Sequence, residues 1–255
     1  MTYCVATKVQ DGLVFLSDSR TNAGIDQVST YRKTALFQRE GECVVVLMSA
    51  GNLAITQSVQ EILRTAPDES SVLSAGNMFE AASRVGAAVR QVYARDDEVF
   101  KAMGIDFNCS FILGGQIKGE GCRLFHIYAA GNFIEAQAES PYFQIGEAKY
   151  GKPILDRVIE PATSLDDAVK CALISMDSTL KSNISVGLPL DLLVYQADDL
   201  SVKYHVSIAD DDPYFMAVRS GWSERIREAF QTMPPINLES RRYAPVTSKS
   251  SINTP

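Results

Sequence analysis

Histidine is nearly absent from this 255-residue chain, which holds only His126 and His205. A Ser-His-Asp or Cys-His hydrolase would have to use one of them, and both lie in strand-like surroundings where a structural role is the simpler reading. Cysteine is sparse too. Cys4, Cys43, Cys109, Cys122 and Cys171 are odd in number and share no C-x-x-C spacing. That usage suits reduced thiols and a cytoplasmic chain better than a disulfide framework. No segment approaches the ~20 apolar residues of a membrane span. Residues 2–16 alternate polar and apolar side chains, unlike the continuous apolar block of a secretory leader. There is no basic run, and the net charge is −7, which argues against nucleic acid or anionic membrane as partners. Gly114-Gly115 lacks phosphate-loop spacing, since no Gly-Lys-Ser/Thr follows. Asp210-Asp211-Asp212-Pro213 reads as an acidic turn before a proline rather than a cation site. No cofactor and no metal are expected.

An apolar fraction of 46% with 22% charged residues is ordinary for a globular protein able to build a sizeable core. Strand-like alternation covers residues 2–9 and 13–20, which flank Asp11-Gly12, and then 33–38 and 43–49. The period changes to helical over 53–65 and 78–94. Strands return at 109–117, 121–129 and 133–138. A helix follows over 164–181, with Thr163 or Ser164 as its cap and Asp166-Asp167 in its first turn. A strand pair at 190–196 and 201–206 and a short helix at 222–233 close the domain. Helices clustered between runs of hairpins predict an α+β fold, a four-layer α-β-β-α sandwich of two antiparallel sheets. One domain is expected over residues 2–233, followed by a Ser/Thr/Pro/Arg-rich tail over 234–255.

The start of the chain carries the chemistry. Removal of Met1, which the small Thr2 side chain permits, would leave Thr2 as the N-terminus. One residue would then hold a hydroxyl nucleophile and an amine base. A threonine hydroxyl is weak alone, and an adjacent N-terminal amine is one of the few ways to activate it. With an ordinary pKa of about 7.7–8.0, that amine keeps a useful neutral fraction near neutrality.

Asp18 follows the apolar run Leu13-Val14-Phe15-Leu16, which drives it into the interior. A buried carboxylate needs a cationic partner, and Arg20 and Lys33 are the nearest candidates. A lysine near the Thr2 hydroxyl would favour its ionised form. A three-residue turn Gln10-Asp11-Gly12, with Gly12 left-handed, would pair Cys4 with Asp18 and set Asp18 diagonal to Thr2 on one face. That bulged turn is the expected register.

With these residues in place, the chain resembles the proteasome-type threonine peptidases among the N-terminal-nucleophile hydrolases. Thr2 matches their nucleophile, Leu16-Ser17-Asp18-Ser19-Arg20 their strand ending in Asp-x-Arg, and Lys33 their active-site lysine. Ser49-Ala50-Gly51-Asn52 matches the loop whose glycine amide, here that of Gly51, builds the oxyanion hole. Within the family the likeness is to the bacterial Anbu, or ancestral β-subunit, group, on the segment from Tyr142-Phe143-Gln144-Ile145-Gly146-Glu147 to Asp156-Arg157. The resemblance implies catalytic roles for Thr2, Asp18, Lys33 and Gly51, and a cleft for extended peptide lined by Arg20, Thr21 and Leu53. Two positions depart from it. Family members usually carry Gly-Ser where this chain has Gly146-Glu147, which makes Glu147 a candidate acid–base or hydrogen-bonding partner. Their later motif, an Asp three residues before Ser-Gly, becomes Ser182-Asn183-Ile184-Ser185-Val186-Gly187. Ser185 stands for the serine, and Ser182 or Asn183 replaces the aspartate.

The favoured reading is a threonine-type peptidase or amidohydrolase acting on a peptide or amide substrate. Relatives assemble into rings or spirals, so a homo-oligomer is implied; no ATPase partner is specified by the residues. A self-assembling scaffold with little activity is the alternative from another class, and an amidase for one small metabolite is a third.

Overall fold

The computed structural model describes residues 2–22 and 28–237; Met1 and the part of the expected tail beyond residue 237 lie outside the described residues. Strands β1 (Tyr3–Val9), β2 (Gly12–Asp18), β3 (Arg20–Asn22), β4 (Val28–Thr30), β5 (Thr34–Arg39) and β6 (Cys43–Gly51) come first. Helices α1 (Leu53–Arg64) and α2 (Met78–Ala102) follow, then β7 (Cys109–Ile117), β8 (Arg123–Ile127), β9 (Phe133–Glu135) and β10 (Tyr142–Gly146). The chain continues through α3 (Lys152–Val158), α4 (Leu165–Ser182), β11 (Leu190–Gln196), β12 (Tyr204–Ile208) and α5 (Pro213–Thr232). The described residues through Arg219 form one compact unit, and those from Ser220 to residue 237 belong to a second.

Two antiparallel five-stranded sheets make the centre, ordered β10-β1-β2-β11-β12 and β5-β6-β7-β8-β9. Their inner faces share a core of Leu13, Phe15, Val44, Val46, Met48, Ile112 and Leu193. The outer face of the second sheet packs Val45, Leu47 and Phe111 against Ile55 and Val59 of α1 and Val85 and Val89 of α2. The outer face of the first packs Val14, Leu16 and Leu192 against Leu155 of α3 and Ala172, Leu173 and Met176 of α4. The chain is the four-layer α-β-β-α sandwich that its pattern predicts. Central strands covered on both faces need apolar residues at consecutive positions, and Val44-Val45-Val46-Leu47-Met48 is such a run. Of the two expected caps for α4 it is Ser164 that forms, its Oγ accepting from the Asp167 amide at 3.2 Å; Asn52 Oδ1 caps α1, accepting from the Ala54 amide at 3.0 Å. The last helix starts at Pro213, earlier than the sequence indicates.

The register of the first hairpin corrects the expected bulged turn. Val9 pairs with Gly12 and Cys4 with Ser17, so the loop is Gln10-Asp11 and Gly12 already belongs to the strand. The reason lies outside the hairpin. β2 is a central strand, and Gly12 also pairs with Gln196 of β11. A side chain on Gly12 would place its Cβ 2.0 Å from the Tyr195 carbonyl oxygen, and φ is +148°. The glycine serves close strand approach rather than the turn. The shift sets Asp18 across from Tyr3 instead of Cys4.

Candidate active site

Asp18 closes β2 and is fully buried, and Lys33 lies just before β5 with its side chain 6% exposed. The Lys33 ammonium donates to Asp18 Oδ1 at 2.9 Å, to the Asp18 carbonyl at 2.9 Å and to the Arg20 carbonyl at 2.8 Å. Three acceptors match its three donors. Burial pushes the Asp18 carboxyl above its ordinary range, against the pull of Lys33 and of the Tyr3 and Gly187 amides. The Tyr3 amide donates to the same Oδ1 at 3.0 Å, so the cation is held against the backbone of the residue that follows Thr2.

Thr2 is gripped on its other side by the loop after β10. The Glu147 amide donates to the Thr2 carbonyl at 2.7 Å. Gly146 takes φ of +82°, and a Cβ there would stand 1.9 Å from the Thr2 oxygen. Gly51, at the end of β6, has φ of +112°, and its Cβ would meet the Asn108 carbonyl oxygen at 2.4 Å. Both positions demand glycine. Leu53 opens α1 two residues later, behind the Asn52 cap.

Arg20 reaches toward the loop before β11. Its Nη1 donates to the Ile184 carbonyl at 3.0 Å, and a Cβ on Gly187 would collide with the guanidinium. Thr21 pairs with Ser29 in the short β3–β4 hairpin. The Ser185 amide donates to Asn183 Oδ1 at 2.9 Å.

The two departures from the family pattern meet each other. The Asn183 amide group donates to Glu147 Oε2 at 2.9 Å, with the Glu147 residue 5% exposed and Lys149 3.6 Å from its other oxygen. The contact joins the acid at position 147 to an amide at 183, so this corner holds one carboxylate. Asn183→Asp would put a second carboxylate on the first. Like charges so close raise the folded-state pKa of the pair above the unfolded value, and stability is then lost as pH rises through it. The variant is expected to melt lower than wild type at pH 8 and to recover toward pH 5 in thermal scans. An unchanged melting temperature at both pH values would show that the contact does not matter.

Two participants escape sequence reasoning, Tyr3 and Gly146. Tyr3 reads as one more apolar residue in an alternating strand; Gly146 sits in a recognised motif without a stated role.

The model of the proteasome subunit family matches residues 2–193. Among solved structures, Anbu (ancestral beta-subunit) from Yersinia bercovieri is 53% identical over 92% of this chain and 99% of its own, with a TM-score of 0.86. The Anbu (Gly-1) mutant from Hyphomicrobium sp. strain MC1 is 46% identical over 93% and 100% of the two chains, at a TM-score of 0.87. The helical assembly of the Anbu complex from Pseudomonas aeruginosa is 46% identical over 92% and 98%, also at 0.87. No curated protein matches.

Proposed function

The chain belongs to the proteasome subunit family, alongside the Anbu proteins, and on that premise we propose that it is an N-terminal threonine hydrolase of peptide or amide bonds. Loss of Met1 frees the Thr2 amine. That amine, directly or through a water, takes the hydroxyl proton as Thr2 Oγ attacks the substrate carbonyl. The Gly51 amide receives the oxyanion, a contact typically worth about 3 kcal/mol of barrier. Collapse transfers the proton to the leaving amine and leaves an ester on Thr2. Water, deprotonated by the same amine, then releases the acid. The Lys33 charge favours the ionised hydroxyl, and Asp18 fixes the ammonium. Glu147 serves as the acidic partner beside Thr2, with Ser185 on the neighbouring loop and Thr21 and Leu53 toward an extended substrate.

The observation that carries this reading is the buried Lys33–Asp18 pair at 2.9 Å, whose shared oxygen also binds the Tyr3 amide. A pair so costly to desolvate, placed beside the residue that would become the N-terminus, has a use there.

Self-assembly is part of the proposal. It is supported by the helical assembly of the P. aeruginosa relative and by Ile226 and Phe230, exposed one turn apart on α5, with exposed Met233 just past its end. The five free cysteines favour a reducing compartment, and we place the chain in the cytoplasm. A scaffold without hydrolysis is the second reading, motivated by Glu147 and Asn183; their contact with each other weighs against a decayed site.

The test is covalent labelling of the mature protein with a threonine-directed β-lactone or epoxyketone. One adduct per subunit is expected, on a peptide that begins at Thr2. Retention of Met1 in the intact mass would defeat the mechanism, and a processed protein that takes no label would favour the scaffold.

A further inference from the structure

The Tyr3 hydroxyl is the centre of a buried polar knot that joins three elements. It shares a hydrogen bond with Ser175 Oγ of α4 at 2.6 Å and accepts from Gln144 Nε2 of β10 at 2.5 Å. The same Gln144 amide group donates to the Ala148 carbonyl at 3.2 Å. Gly151 closes over the knot: a Cβ there would lie 2.2 Å from Ser175 Oγ and 2.4 Å from the Tyr3 hydroxyl. Tyr3 is fully buried, and burial pushes its phenol far above the ordinary value, so the hydroxyl stays neutral. A neutral phenol that accepts from Gln144 has its proton left for Ser175.

What this knot holds is the machinery on either side of it. Through its own amide, Tyr3 ties to the Asp18 oxygen that orders Lys33. Through Gln144, Ala148 and Gly151 it fixes both ends of the loop 146–151, whose Gly146 and Glu147 grip the Thr2 carbonyl. We infer that Tyr3, with Gln144 and Ser175, is a positioning residue that sets Thr2 and Glu147 in register with the Lys33–Asp18 pair. The inference rests on the proposed role of Thr2, although the geometric part stands without it. A phenylalanine would fill the same core space, so apolar packing alone gives no reason for the hydroxyl. Its three elements come from positions 3, 144 and 175, and the hydroxyl meets side chains of both β10 and α4 at one point.

The experiment compares Tyr3→Phe with wild type after intact mass has verified Met1 removal in both. Inactivation by the β-lactone is resolved into its rate at saturation and its half-saturating concentration, and amide hydrogen exchange is followed in peptides covering 3–9 and 142–151. The expected result is a saturation rate about ten- to hundredfold lower, an unchanged half-saturating concentration, and faster exchange confined to those two segments. A merely structural tyrosine would alter exchange throughout the domain, or nothing. Wild-type rate and wild-type exchange in Tyr3→Phe would overturn the inference. If that variant fails to fold, Ser175→Ala removes one partner of the knot, and a folded Ser175→Ala with wild-type rate and exchange would overturn it equally. Should wild type itself take no label, the proposed role of Thr2 falls, and the exchange comparison still decides the positioning claim.

Discussion

Lys33→Ala is expected to slow covalent labelling at Thr2 by about 10²–10⁴-fold and to cost the fold about 3–5 kcal/mol. Both losses have one origin. The ammonium is buried and satisfied by three oxygens, two of them backbone carbonyls. Its removal strands the fully buried Asp18 carboxylate and frees the turn from Asp18 to Arg20. Burial already pushes the Asp18 carboxyl upward, and without the cation the push is unopposed by charge. A carboxyl with a raised folded-state pKa stabilises the fold only while protonated, so the contribution is present at low pH and lost as pH climbs through that pKa. The stability deficit of Lys33→Ala should therefore be largest at pH 8 and shrink toward pH 5, measured by urea unfolding at both. Labelling should stay slower than wild type at either pH, because acidification repairs Asp18 without replacing the charge near the hydroxyl. A Lys33→Ala protein that takes label at the wild-type rate would remove the lysine from the mechanism.

How far the sequence reaches can be judged from particular residues. The four layers are legible because helical and strand periods alternate in blocks, with residues 43–49 rich in β-branched side chains and paired to the strand before them. That Asp18 needs a cation is legible because a carboxylate at the end of an apolar strand demands one; the residues leave Arg20 and Lys33 open, and the resemblance points to Lys33. The hairpin register is not, since turn rules consider two strands while Gly12 answers to a third, β11, whose Tyr195 carbonyl sits where a side chain would go. Tyr3 is invisible for a related reason. Its hydroxyl partners lie 141 and 172 positions away along the chain, and nothing local separates a buried tyrosine that bonds from one that merely packs. Glu147 and the segment Ser182-Asn183 look like separate departures along the chain; folding brings Glu147 and Asn183 to 2.9 Å.

Gly146→Ala should cost both stability and labelling, and Gly41→Ala isolates the reason. Both glycines take positive φ, +82° at Gly146 and +74° at Gly41. At Gly41 a Cβ meets nothing within 4 Å, so alanine there pays only the left-handed backbone cost of about 1–2 kcal/mol. At Gly146 the same conformational cost is joined by a contact of 1.9 Å with the Thr2 carbonyl oxygen. That oxygen cannot withdraw without breaking its 2.7 Å bond from the Glu147 amide. The clash must move either the loop or residue 2, and displacement by about 1 Å at a reacting group can cost 10²-fold in rate. Gly41→Ala is expected to melt slightly lower and take label at the wild-type rate. Gly146→Ala is expected to melt lower still and to lose labelling by about 10²-fold or more. Equal effects from the two variants would mean that positive φ alone, and not the grip on Thr2, is what Gly146 provides.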